Sequence, residues 1–143
     1  IYFALNKTYL KLTLDLDFTL IAITAPLKDY VLCHKINTRL NTQFEKIEDH
    51  EIFFNIDEPA WSFSKYYFFV EQGEVEYYLI CNKSSDGFLI PEMSKVDFFI
   101  IIKEFIDKED LDYLINGLNK LPDIQVAAKI DPTKLKSREN LVI

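Results

Sequence analysis

Three short stretches in the middle of this chain are apolar on both of their alternating faces. In Phe63–Val70, Phe63, Tyr67 and Phe69 point one way, while Tyr66, Phe68 and Val70 point the other. In Val75–Cys81, Tyr77, Leu79 and Cys81 oppose Tyr78 and Ile80. In Val96–Ile102, the run Phe98-Phe99-Ile100-Ile101-Ile102 has no polar face. An antiparallel sheet with one solvated side alternates apolar and polar residues, and these strands do not. The sheet they build needs cover on both faces.

The rest of the chain supplies strands and two helices. Leu10, Leu12, Leu14 and Leu16 alternate with Lys11, Thr13 and Asp15, which predicts a strand over Tyr9–Leu16. Asp17–Ala25 fits an extended segment or a short helix, and periodicity alone does not separate the two. A helix is expected next, with Thr24 as its cap and Pro26 in its first turn, because Leu32, Cys33, Ile36 and Leu40 form one apolar stripe. Glu45–Glu51 reads as an acidic connector and Ile52–Ile56 as a short strand, closed by Asp57-Glu58-Pro59. A hairpin is predicted from Phe63 to Asn82, turning at Gln72-Gly73. Ser84-Ser85-Asp86-Gly87 is a further turn, followed by a strand from Val96 to Phe105. The second helix spans Lys108–Leu121, with Asp107 as cap and Pro122 as stop. Ile124–Ile130 alternates as a last strand, ended by Asp131-Pro132.

No internal repeat or linker interrupts the 143 residues, so one domain is expected over 1–143. The fold class is α+β: a mainly antiparallel sheet of about five to six strands with two helices packed on one face. A ferredoxin-like arrangement is the alternative. Two helices cover one face only. The second face then calls for the Asp17–Ala25 segment, long loops, a ligand or a second copy of the chain. A homodimer is the leading expectation, since two-fold self-association is the common solution. The competing expectation is that loops and the terminal segments close the face within one chain.

Charge removes several functions. The net charge is −7, and the one dense basic cluster is Lys134, Lys136 and Arg138. Nucleic acid and anionic membranes need clustered Lys and Arg, so neither is an expected partner. No apolar run reaches the roughly 18 residues of a membrane span. Ile1-Tyr2-Phe3-Ala4-Leu5 lacks the charged region and cleavage site of a secretory leader, and without an initiator Met the numbering is expected to begin inside the natural chain. Cys33 and Cys81 lie far apart in apolar surroundings and read as buried thiols. Together these features predict a cytoplasmic protein.

Catalytic and metal motifs are sparse. The two histidines, His34 and His50, form no HExxH, and the cysteines form no CxxC. Cys33 and His34 are neighbours, roughly 100° apart on a helix, and poorly placed to share a metal. Gly73, Gly87 and Gly117 stand alone, so no phosphate-binding loop is present and no cofactor is implied. Trp61 is expected in the core, or alternatively as an interface anchor. The tail, Lys134–Ile143, is expected to lie on its own sheet edge or on a dimer mate, or else to dock on a partner.

Phe88-Leu89-Ile90-Pro91-Glu92-Met93-Ser94-Lys95-Val96-Asp97-Phe98 sets a Pro-Glu step and a Lys-x-Asp step before a bulky apolar run. It resembles the signature of the bacterial IPExxxVDY family. Asp29-Tyr30-x-Leu32-Cys33-x-x-Ile36-Asn37 is similar to that family's helical segment. Ile130-Asp131-Pro132-x-x-Leu135-Lys136-Ser137 and Asn140-Leu141 are similar to its C-terminal segment. The resemblance runs from about Leu10 to the end and brings no assigned activity with it. Phe98 stands where the family motif has Tyr, which points to packing rather than catalysis there.

The candidate binding surface is therefore Glu92, Lys95 and Asp97, with Asp29 and Tyr30 from the helical segment. Glu92 and Asp97 read either as an acid/base pair or as a turn cap and a salt bridge at the strand entrance. Three functions follow. The favoured one is a non-enzymatic dimeric interaction or accessory protein. The second is a carrier or sensor of an apolar small molecule, oriented by Glu92, Lys95 or Tyr30. The third is an enzyme using Glu92 and Asp97.

Overall fold

The computed structural model describes residues 17–143. The strand expected at Tyr9–Leu16 lies outside them. The described elements run β1 (Thr19–Thr24), α1 (Asp29–Leu40), β2 (Glu45–Ile52), β3 (Trp61–Val70), β4 (Val75–Cys81), β5 (Phe98–Lys103), α2 (Lys108–Asn119) and β6 (Val126–Ile130). They form one sheet in the order β2-β3-β4-β5-β1-β6. Every neighbouring pair is antiparallel. The class is α+β, as expected. The β5-α2-β6 connection is a split β-α-β unit around β1. The ferredoxin-like alternative holds for that unit alone, because β2–β5 is a four-strand meander.

The ambiguous Asp17–Ala25 segment contains β1. It lies between β5 and β6, is covered on both faces, and so has no polar side to reveal its period. The same position explains the unbroken apolar run of β5, whose first five residues are all buried.

Three local expectations are corrected. Thr24 is the last residue of β1, and Pro26 lies in the following loop; α1 starts three residues further on, with Lys28 at its N-cap in extended conformation. Glu45–Glu51 is not a connector but most of edge strand β2, which pairs with β3 from Glu45–Tyr67 to Ile52–Trp61. Its acidic side chains reach solvent from the open edge, which hides a strand pattern and discourages pairing with another chain. Ile52–Ile56 is not a separate strand: Ile52 ends β2, and Phe53–Ile56 stand exposed in the β2–β3 loop.

The β3–β4 hairpin closes at Val70–Val75 through Glu71–Glu74, where Gly73 and Glu74 both have positive φ. Both helices pack on one face. Ile21, Ile23, Leu32, Ile36, Leu79, Ile100, Leu114 and Leu118 form the first core there. Gly117 allows the helices to approach: a Cβ on it would lie 2.5 Å from Leu40 Cδ2.

A second core fills the opposite face. Leu20, Phe63, Ile80, Phe99 and Ile101 of the sheet are covered by Leu89, Ile90 and Val96 of the signature segment and by Leu135 and Leu141 near the C-terminus. The cover demanded by the two-faced strands thus comes, over this part of the sheet, from a loop and the tail of the same chain. Outward of it, Tyr67, Phe69 and Tyr78 are only partly covered. No described helix is long and apolar enough to cross a membrane.

Candidate functional site

The signature is wrapped around one side chain. Asn82 follows β4 and is fully buried. Its Nδ2 donates to the carbonyls of Met93 (2.9 Å) and Val96 (2.8 Å), and its Oδ1 accepts from the Ile90 amide at 2.8 Å. The Leu89 amide donates to the Asn82 carbonyl, and the Asn82 amide donates to the Asp97 carbonyl. Pro91 opens a single 3₁₀ turn, Pro91–Met93, which suits a residue with fixed φ and no donor. The segment therefore leaves the sheet at Asn82, crosses the second face, and returns at Asp97.

Glu92 faces the tail. Its Oε2 accepts from the Ser137 amide at 2.7 Å, and its Oε1 from the Ser137 hydroxyl at 2.8 Å. Partial burial pushes this carboxyl up, but the Ser137 amide and hydroxyl and neighbouring amides stabilise the anion more, and the net shift is downward. Asp97 faces elsewhere. Its Oδ2 accepts from the Ala25 amide at 2.7 Å, and its Oδ1 pairs with Lys83 Nζ at 2.7 Å. Asp97 thereby ties the entrance of β5 to the end of β1 and to the β4 exit. The two carboxylates hold different partners: one fastens the tail, the other a strand junction.

The remaining expected residues are dispersed. Lys95 is exposed on the signature turn and takes no part in the hydrogen bonds and ion pairs among the described residues. Asp29 opens α1 on the helix side of the sheet, where it accepts from the Tyr66 hydroxyl at 2.8 Å. Tyr30 is exposed on the same helix. Phe98 is buried in the first core, as a packing role requires. Trp61 is half-buried, edge-on to Phe54 at 4.7 Å between ring centroids. It also lies against Gly87, where a Cβ would come within 2.6 Å of the indole.

The tail is fastened at further points that the sequence did not announce. The Asn140 carbonyl lies 2.7 Å from His50 Nε2, so that nitrogen carries the proton. Asn140 Nδ2 donates to the Leu89 carbonyl at 2.8 Å, and Lys103 Nζ donates to the Ile143 carbonyl at 3.0 Å. His50 is buried, and burial pulls its pKa below the ordinary value. An isolated His in an acidic stretch is the only sequence trace of this contact.

The thiols are separate. Cys33 lies beside the Phe44 carbonyl and Asn37, and burial raises its pKa. Burial, with Asp29 nearby, pushes Cys81 up to about 12. Neither is set up as a thiolate nucleophile. Among the described residues, no group of three or more His, Cys, Asp and Glu side chains is placed to hold a metal ion. A cleft is lined by residues including Lys103, Glu104, Phe105, Lys108 and Lys129; Glu92, Lys95 and Tyr30 do not line it. No family model matches the chain, and no match was found among curated proteins.

Proposed function

We propose that this is a non-catalytic cytosolic protein that acts by association, foremost as a homodimer, and that it belongs with the IPExxxVDY proteins its signature resembles. The observation that carries this reading is the β2–β3 loop, which presents Phe53, Phe54 and Ile56 with 69%, 54% and 95% of their surface exposed. Three large apolar side chains within four residues form the kind of patch that marks a contact surface. Support also comes from the signature, whose two carboxylates are engaged by their own chain's amides, hydroxyl and lysine. An acid/base pair would need them free and facing one cleft. The free thiols fit a reducing compartment.

Native mass spectrometry of the protein purified gently from its own type of host cell tests this reading. A dimer, or a defined complex with another protein, is the expected result. A monomer carrying one fixed small mass would favour the carrier reading, and a bare monomer would contradict association.

A further inference from the structure

The β2–β3 loop is held in shape rather than merely displayed. Glu58 N donates to the Asn55 carbonyl at 3.1 Å, and Asp57 N donates to Asn55 Oδ1 at 3.1 Å, which makes a compact turn. At its base, Phe54 packs edge-on against Trp61, and the Ser62 amide donates to Asp86 at 3.2 Å. A loop fixed in this way loses little conformational freedom on binding.

Its rim is acidic: Glu51, Asp57 and Glu58 are all exposed. The complement to that charge is in the same chain. Lys134, Lys136 and Arg138 lie in the tail, with Asp131 and Glu139 the acidic residues flanking them, and exposed Lys95 lies on the signature turn that clasps the tail through Glu92 and Ser137. The two surfaces are neighbours, since the Asn140 carbonyl meets His50 of β2, the strand that leads into the loop. A patch lying beside its own complement is what an isologous two-fold contact requires, because each protomer then offers both halves.

We infer that the Phe53–Glu58 loop of one protomer seats on the Lys134–Arg138 segment of a second copy, reciprocally. Phe53 and Ile56 supply the buried apolar centre, and Asp57 and Glu58 meet Lys134 and Lys136 of the other protomer. This inference rests on the association reading and locates its surface.

Sedimentation velocity on the full chain, from about 1 to 100 μM, tests it. The wild type is expected to dimerise. The F53S/I56S variant is expected to weaken the dimer about tenfold or more, since both side chains are hot-spot candidates. The reversals D57K/E58K and K134E/K136E are each expected to weaken it. Combining all four charge changes is expected to restore it to within about threefold of wild type. All these positions are exposed, so the fold is not at stake. A dimer untouched by every variant would overturn this interface and leave association standing. A combination no tighter than the single reversals would overturn the charge pairing. A wild-type monomer throughout would overturn the homodimer itself.

Discussion

At the scale of single residues, asparagine amides stand in for backbone pairing. Asn37 takes the Phe44 amide on its Oδ1 (2.9 Å) and gives Nδ2 to the Phe44 carbonyl (3.0 Å), fixing the step from α1 to β2. Asn82 satisfies three backbone groups of the signature in the same manner. Replacing Asn82 with Leu leaves the buried Ile90 amide and Val96 carbonyl without that partner, while the Met93 carbonyl keeps its bond from the Val96 amide. Each of these two orphaned groups costs about 1–3 kcal/mol, so N82L is expected to lose more than about 2 kcal/mol in urea denaturation. His50 and Glu92 give the molecule an acid sensitivity. His50 has its folded pKa lowered by burial, so the unfolded chain binds its proton first. Its contribution is complete above the ordinary 6.5 and is lost as pH falls from there through the folded value. Glu92 is also depressed, and its contribution is present above the ordinary 4.5 and lost as pH falls through its folded value. Stability measured by denaturation at a series of pH values should therefore begin to fall just below pH 6.5. The slope should be at most about 1.4 kcal/mol per pH unit for one proton. H50Q keeps a donor for the Asn140 carbonyl without a titrating ring, and is expected to flatten that first slope.

At the scale of elements, the two edges of the sheet among the described residues are protected by different means. The β2 edge carries charged residues and an irregular register between Ile47 and His50, both of which discourage pairing with another strand. The β6 edge is short and occupied by a side chain: Asn119, ending α2, takes the Ala127 amide at 2.8 Å and gives to the Ala127 carbonyl at 2.9 Å. N119A frees that edge. It is expected to cost about 1–2 kcal/mol and to raise aggregation, measured together by thermal unfolding and light scattering. Helix α2, with one solvated face and a clear period, was legible in the sequence, and the β3–β4 hairpin was legible from its turn at Gln72-Gly73. β1 was not, because cover on both faces removes the alternation that marks a strand. β2 was not, because its acidic outer residues match a connector equally well. The start of α1 was misplaced because Thr24 and Pro26 are plausible cap chemistry, yet β1 pairing extends through Thr24.

At the scale of the whole molecule, the part of the second sheet face over Leu20, Phe63, Ile80, Phe99 and Ile101 is covered by a loop and a tail fastened to each other. The sequence showed that cover was required, and the apolar residues that provide it stand in plain view. What links them is long-range: Glu92 to Ser137, His50 to Asn140, and Asn140 to Leu89. Contacts between residues 45, 90 and 51 positions apart leave no local period, so the clasp could not be read from one chain. The candidate site fared likewise. Its signature residues were identified, but their partners were not, and the partners decide whether a carboxylate is free for chemistry. Amide hydrogen exchange on E92A, compared with wild type, tests the clasp most directly. Amides from Leu135 to Leu141 are expected to exchange about tenfold faster or more, since losing a charge-assisted pair of hydrogen bonds removes about 1.5–3 kcal/mol of protection. Those of α1 should remain unchanged. Undiminished protection of the tail in E92A would contradict the structural role assigned to Glu92.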